Sequence, residues 1–577
     1  MPRIRKIEIE NFRGIREFSW LPSAGINCLI GSGDSGKSSV LDAIDLCLGA
    51  RRTVQLMDAD FHNLDVTKPI RISLTIGELD DALKTMEGYG MFLRGFHATT
   101  GDIEDEPERD AETVLTLTLT VAGDLEPTWT LESERAAAQN LARNLNWTDR
   151  ARISPTRIGA FGDYNLGWRH GSVLNRLSDE RADASAALAM AAREARASFG
   201  DQADRQLGET LALVTETAKD LGVPVGDRVK AMLDAHSVSF SGGTISLHDE
   251  AGVPLRNLGL GSARLLIAGL QRKAAEQSPI ILVDELEYGL EPHRIIRFLG
   301  ALGAKERQPP LQAFITTHSP VALRELSGSQ LFVMRQVGIK HEARNIGIED
   351  DIQGTIRAFP DAFLASSVLV CEGASEVGLV RGLDLFRAAN GQTPITSLGV
   401  ALVDCGGGDA DRPFRRAEAL HALGYRTAVL RDDDKKPTDA VEMAFKDAGG
   451  KVITWREGRA LEDELFLSLT QGAVAKLIDY AIEENGEDLI GEHIRSASQN
   501  TANLKEIQVD AMLDLLSAES RAILGRAARP RYRAWFKSVT CMEEVARGIV
   551  GPDLVDADAG FWAIVESIFA WARASGE

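Results

Sequence analysis

Gly31 to Ser38 reads GSGDSGKS; the apolar run INCLI, Ile26 to Ile30, comes directly before it, and the amphipathic stretch Ser39 to Leu48 follows. This is a full match to GxxxxGK(S/T) in the strand, loop, helix setting that the motif requires. Glycines at Gly31, Gly33 and Gly36 let the backbone turn its N–H groups inward as an anion nest, and Asp34, Ser35 and Ser39 complete the expected loop. Lys37 is placed to reach the β- and γ-phosphates, and Ser38 can ligate Mg²⁺. The stretch predicts an α/β fold with a nucleotide-phosphate site at one edge of its sheet.

Three further segments follow in chain order. Asn257 to Leu266, NLGLGSARLL, is a glycine-rich turn opening a helix. Pro279 to Glu285, PIILVDE, is an apolar strand ending in two acids. Thr316 to Ser319, TTHS, follows the strand-like Leu311 to Ile315. Together with the opening IRKIEIENFRGIREF, the set resembles the SMC and RecF branch of ABC ATPases. That resemblance implies that Gly259 and Gly261 cap the γ-phosphate of an opposite protomer and that Asp284 holds the Mg²⁺ shell. It also implies that Glu285 orients the attacking water and that His318 senses the γ-phosphate. Two departures, Gly33 where the branch commonly has Asn and Gly259 where the signature usually has Ser, predict slow turnover. One P-loop and one signature per chain imply a homodimer or a larger even assembly.

Length and composition set the frame. A chain of 577 residues exceeds what one hydrophobic core usually organises, so two or three domains are expected. The opening MPRIRKIEIENF has no apolar signal core and no run approaches a membrane span, which predicts a soluble cytoplasmic protein with no membrane partner. The five cysteines lack CxxC spacing, which argues against a thiolate zinc site and against a disulfide framework. With 64 basic and 85 acidic residues the formal charge is -21, so contact with DNA must come from local basic patches rather than from bulk charge.

The texture along the chain suggests five segments. An ATPase head occupies 1–170, an inserted helical arm with the composition of a dimerisation interface 171–235, and the head resumes over 236–365, where SVSFSGGTISL reads as strand. A second α/β pattern fills 366–470, and 471–577 reads as helical.

In that second pattern three apolar runs each end in acid: ASSVLVCEGASE gives Glu372 and Glu376, GVALVDCGGGDA gives Asp404, and RTAVLRDDDKK gives Asp432 and Asp434. The intervals from 372 to 404 and from 404 to 432, 32 and 28 residues, are the length of a strand plus a crossover helix. Parallel strands then present all these acids at one carboxyl edge, where open α/β sheets bind ligands. A donor set of oxygens alone suits Mg²⁺ or Mn²⁺ rather than Zn²⁺. A fourth strand, Lys451 to Trp455, leads into Glu462 and Glu464, either of which could add a ligand.

The pattern resembles the TOPRIM domain, with Glu372 at its glutamate and Asp432 and Asp434 at its DxD. A head of SMC type followed by TOPRIM resembles the OLD family of ATP-dependent endonucleases, which includes the Gabija nuclease subunit. The resemblance implies two-cation cleavage of DNA, with Glu372 and Asp432 central and Glu376, Asp404 and Glu462 as further metal ligands. It also implies a role in defence against phage and leaves open whether a helicase partner is needed.

Arg521 to Lys537 carries Arg521, Arg526, Arg529, Arg531, Arg533 and Lys537 with no acid between them, interleaved with Tyr532, Trp535 and Phe536. Two readings stay open: a phosphate-contacting patch, or a solvated helix face over an aromatic core stripe. The OLD resemblance makes Lys537, in WFK, the lysine that supports the cleaved phosphate.

The leading expectation is an ATP-controlled, metal-dependent DNA endonuclease. Its main rival is a non-cutting ATPase that acts as a clamp or sensor in DNA repair. A strand transferase of topoisomerase type is disfavoured because no tyrosine sits in a recognisable cleavage context.

Overall fold

Three short runs are buried at every position: β3 (Ile26–Ile30), β10 (Ile280–Val283) and β11 (Gln312–Thr316). Strands buried on both faces read as unbroken apolar text, and these three run parallel together with β9 (Thr156–Ile158), in the order β3-β11-β10-β9. The remaining strands of this part are β1 (Arg3–Phe12), β2 (Ile15–Trp20), β4 (Ile70–Gly77), β5 (Arg94–Phe96), β6 (Ile103–Glu104), β7 (Glu112–Val121) and β8 (Pro127–Leu131). They pair antiparallel in the order β6-β5-β7-β4-β1-β2, with β8 on β7. The fold is thus α/β with a mixed parallel and antiparallel strand arrangement. Strands β12 (Leu331–Val337) and β13 (Lys340–Asn345) come next in the chain.

In this computed structural model the described residues are 1–50, 54–159, 163–166, 172–177, 190–191, 193–194, 198–199, 206–220, 226–229, 247–276, 278–530 and 533–574. Most of the expected helical arm, and nearly all of SVSFSGGTISL, lies outside them. Within the arm, Val173–Leu177 and Gly208–Asp220 are helical. No helix among the described residues is long and apolar enough to cross a membrane. The chain divides into two compact units, one of Met1–Leu29, Gly36–Ala322 and Val337–Glu342, the other of Ile30–Ser35, Leu323–Gln336 and Ala343–Glu577.

The second unit is built on a four-stranded parallel sheet of β14 (Ser367–Cys371), β15 (Val400–Asp404), β16 (Arg426–Arg431) and β17 (Lys451–Thr454), ordered β15-β14-β16-β17. Cys371 stands opposite both Asp404 and Leu430, so the strands end level with one another. Helices Ala374–Ala389, Arg412–Ala422 and Asp439–Asp447 make the crossovers. The C-terminal helices pack onto the same core, which takes in Leu379, Leu430, Trp455, Leu465, Trp535 and Phe561.

Two glycines set how closely they pack. A Cβ at Gly378 would fall 2.6 Å from the Val539 carbonyl oxygen, and one at Gly382 would fall 2.3 Å from that of Glu543. Helix Val539–Val545 therefore lies directly on the helix that carries Glu376, and the chain just before it, with Lys537, is held at the same end of the sheet.

Candidate functional site

The phosphate loop takes left-handed backbone at Gly31 (φ 136), Asp34 (φ 57) and Gly36 (φ 85). Only glycine suits the first position, where a Cβ would meet the Met334 carbonyl oxygen at 2.7 Å. Aspartate is among the few side chains that tolerate the second. Gly33 and Gly259 have open space on their Cβ side. Helix Lys37–Leu48 starts at the end of the loop, and the N-terminus of a helix favours an anion. The Lys37 side chain is buried, and Ser38 and Ser39 follow it in the first turn.

The parallel register carries distant residues to Ser38. Its hydroxyl donates to Asp284 Oδ1 at 3.0 Å, and the Thr316 hydroxyl donates to the same oxygen at 2.7 Å. Arg157, opposite Leu282 on the neighbouring strand, pairs with Asp284 at 3.3 Å and with Asp42. Glu285 is exposed, sits in left-handed backbone (φ 46), and donates its N–H to Thr316 Oγ1 at 2.8 Å. Burial, then the Lys37 charge, holds the His318 imidazole below its usual proton affinity, so it is neutral at pH 7. Ser38, Asp284, Glu285 and His318 are thereby gathered around the start of the P-loop helix.

Three residues of this cluster were not singled out in the sequence. Arg264 has no exposed surface and donates to the backbone carbonyls of Asp284 and Glu285, both at 3.2 Å, and of Tyr288. It ties the glycine-rich helix to the turn after β10. A Cβ on Gly261 would lie 2.4 Å from the Gly289 carbonyl oxygen, so this glycine meets a packing need inside the chain as well. Arg157 and Glu287 are the other two. Arg264 does lie inside NLGLGSARLL, a signal that was present in the sequence; Arg157 and Glu287 are joined to the cluster by strand register alone.

The second unit holds the acids. Glu372, Glu376, Asp404, Asp432, Asp434 and Glu462 line one cavity of about 570 Å³, together with Gly406–Gly408, Lys435, Arg526, Arg529 and Lys537. Five of these six acids are oriented by a backbone N–H or a cation. Glu372 Oε2 accepts the Asp432 N–H at 3.0 Å, and Asp432 Oδ1 accepts the Leu461 N–H at 2.9 Å. Glu376 Oε2 accepts the Gly373 N–H at 2.9 Å, Asp404 Oδ1 accepts the Gly406 N–H at 2.6 Å, and Asp434 pairs with Arg529 at 3.1 Å.

Burial followed by like-charge crowding sets the electrostatics. Asp432 is pushed well above the usual carboxylate range by burial and then by Glu376, Glu462, Glu372 and Asp434. Glu376 is pushed up by burial and then by Glu462. Burial also raises Glu372 and Glu462, the latter opposed by the charges of Lys537 and Arg529. A crowd of buried oxygen donors with raised proton affinity is relieved by protons or by a hard divalent cation, and the residues present fit Mg²⁺ or Mn²⁺. Among the described residues, no group of three or more His, Cys, Asp or Glu side chains is drawn together closely enough to hold a metal ion as it stands. The cavity collects the donors without closing them on one point.

Several residues singled out in the sequence lie elsewhere. Glu464 is fully buried beneath Arg456 at 2.6 Å and Arg459 at 3.2 Å, in a structural ion-pair network away from the cavity, because it sits two helix positions beyond Glu462. Asp433, the middle acid of DDD, turns back to Arg431 and Lys436. The basic stretch divides. Arg526, Arg529 and Lys537 line the cavity, Arg521 donates to the carbonyls of Phe466 and Leu469, and Trp535 and Phe536 are core. Arg531 and Tyr532 lie outside the described residues.

Comparison with known proteins matches residues 26–324 to the family described as "AAA domain, putative AbiEii toxin, Type IV TA system". The chain is 41% identical over 58 residues to the DNA replication and repair protein RecF of Chlorobium phaeovibrioides, a match covering 10% of this chain and 16% of that relative's length. Similar solved structures include an Smc head bound to the C-terminal winged-helix domain of ScpA (TM-score 0.35, 14% identity, 59% of this chain and 96% of that one). The SMC head domain of Thermotoga maritima (TM-score 0.29, 14% identity, 60% and 100%) and a nucleotide-bound RecF (TM-score 0.30, 11% identity, 59% and 98%) are similar in extent. With just over half of its length matched, the chain belongs to the family of AAA domains so described, and its residues 26–324 form an ATP-binding domain of the ATPase type.

Proposed function

We propose that the protein is an ATP-controlled, divalent-metal-dependent DNA endonuclease or nickase of the OLD type. In this reading a head over 1–170 and 236–365 governs a TOPRIM-like domain over 366–470, which 471–577 completes. The observation that carries it is the cavity in which six carboxylates from the ends of three parallel strands and two helices face Arg526, Arg529 and Lys537. Acids to hold cations and bases to hold a phosphodiester, in one cavity, is the composition that phosphodiester hydrolysis asks for.

Each residue has a part in this reading. Glu372, Asp432 and Asp434 form the main cation seat, with Glu376, Asp404 and Glu462 as additional ligands. Bound there, Mg²⁺ or Mn²⁺ would supply Lewis acidity for attack by water and for departure of the leaving oxygen. Lys537 and Arg529 hold the non-bridging phosphate oxygens and offset charge that builds on them. In the head, Gly31 to Ser39 cradle phosphates, Asp284 and Ser38 hold the nucleotide's Mg²⁺, Glu285 orients water and His318 contacts the γ-phosphate. Gly259 and Gly261 would face a second copy, so the active form is a homodimer or larger even assembly. Defence against phage, and a helicase partner, follow from the OLD resemblance.

The stretch similar to RecF, a DNA replication and repair protein, favours a second reading as a non-cutting clamp or sensor. Incubating the protein with supercoiled plasmid and Mn²⁺, with and without ATP, separates the two. Nicked circles support the nuclease; an unaltered plasmid beside measurable ATP hydrolysis supports the clamp.

A further inference from the structure

Glu287 lies two residues beyond the acidic pair Asp284 and Glu285, where no motif calls for a third carboxylate. Both of its oxygens are engaged. Oε2 accepts the Thr317 hydroxyl at 2.6 Å, and Oε1 accepts the His318 backbone N–H at 2.8 Å. Strands β10 and β11 are parallel neighbours with Val283 opposite Ile315, so the turn holding Glu285 and the turn holding His318 leave the sheet side by side. Thr316 makes the first stitch between them, through Asp284 Oδ1 and the Glu285 N–H, and Leu286 adds its N–H to the Thr316 carbonyl at 2.9 Å. Glu287 makes the last stitch, at the residue whose side chain the nucleotide would meet.

An ionised carboxylate accepts two hydrogen bonds from one turn and fixes it in both position and tilt. An amide in its place keeps one acceptor for the His318 N–H but turns an N–H toward the Thr317 hydroxyl, which must stop donating and accept instead, beside the Ser319 N–H it already accepts at 3.0 Å. Displacements of about 1 Å at a group facing the reacting atoms cost up to roughly 100-fold in rate. We propose that Glu287 is a positioning residue for ATP hydrolysis, acting through His318 by clamping the Thr317–His318 turn to the turn after β10. This rests on the reading of His318 as the γ-phosphate contact.

The test is a double-mutant cycle in the full-length protein, with steady-state ATP hydrolysis and the Kd of a fluorescent ATP analogue measured for Glu287→Gln, Thr317→Val, His318→Ala and the Glu287→Gln/His318→Ala pair. The expected result is a fall in kcat of about 10-fold or more in Glu287→Gln with Kd changed less than about 2-fold, and no further loss when the change is made on His318→Ala. Thr317→Val removes one of the two bonds and should lose less, in the same direction; it carries the test if Glu287→Gln fails to fold. Wild-type kcat in both Glu287→Gln and Thr317→Val overturns the proposal. So does a loss of equal size with and without His318, which would leave the reading of His318 standing. Wild-type turnover in His318→Ala would instead remove that reading, and this inference with it.

Discussion

Glu376→Gln should make the metal-free protein more stable at pH 8 while removing part of its affinity for Mn²⁺. Glu376 is 4% exposed, and burial, followed by the charge of Glu462, pushes its pKa from 4.5 to about 8. A folded value above the unfolded one means that the native state keeps a proton the unfolded chain has released, so this group's contribution to stability falls as pH rises from about 4.5 to about 8. The gap between those values, at about 1.4 kcal/mol per pKa unit, sets a ceiling of about 5 kcal/mol. Because the strain is shared with Asp432 and Glu462, and neighbours relax when one charge is removed, about 1–3 kcal/mol is the expected gain. Glutamine keeps an oxygen for the Gly373 N–H, so the helix start is preserved. A chain of two units has no single unfolding free energy, and amide exchange over Ala374–Ala389 in EDTA is the suitable probe. Relative to wild type, exchange should slow roughly 5- to 150-fold at pH 8 and hardly at all at pH 5, with a smaller protective effect of Mn²⁺ in the variant. No slowing at pH 8, or equal slowing at both pH values, would show that Glu376 carries no such burden of buried charge.

Lys37→Ala should cut ATP hydrolysis by about 100-fold or more, since it removes the charge facing the phosphates, while leaving Mn²⁺-induced protection of the second unit intact; a coupled-enzyme assay with exchange measurements checks both. Lys537→Ala should slow plasmid nicking by about 100-fold without releasing the metal, because a cation at this place stabilises charge and holds no ligand; nicking kinetics beside Mn²⁺ titration read the two apart. Deleting 171–223 should shift the light-scattering mass from dimer toward monomer, and an unchanged mass would place the dimer contact elsewhere.

What could be read before the structure was whatever is local in the chain. GSGDSGKS carries its strand, loop and helix within two dozen residues, and the acids after Val370, Val403 and Leu430 advertise strand ends because the apolar runs before them are unbroken. Contacts made by register between distant strands left no such mark. Arg157 reaches Asp284 only because β9 lies beside β10, and Glu287 reaches His318 only because β10 lies beside β11. Which acid of a pair faces the cavity was also undecidable from spacing, as Glu462 and Glu464 differ by about 200° around one helix turn and only the first lines the cavity. Two readings of 521–537 were open, a phosphate-contacting patch and an aromatic core stripe, and the stretch divides between them: Trp535 and Phe536, 1% and 0% exposed, are core, while Arg526, Arg529 and Lys537 line the cavity. Truncating either aromatic to alanine would cost about 3–5 kcal/mol.

Whether the carboxylate cavity cuts DNA is decided by plasmid nicking by the wild type, Glu372→Ala and Asp432→Ala at saturating Mn²⁺, with ATP hydrolysis measured in the same preparations. The Asp432 backbone N–H donates to the Glu372 carboxylate at 3.0 Å, at the level ends of adjacent strands, and both carboxyl groups are raised by burial before any charge effect. The expected result is nicking by the wild type and none by either variant, with ATP hydrolysis retained in all three. Nicking that persists in Asp432→Ala would contradict this and would leave the buried acids with a structural role, on an ATPase that cuts nothing through this cavity.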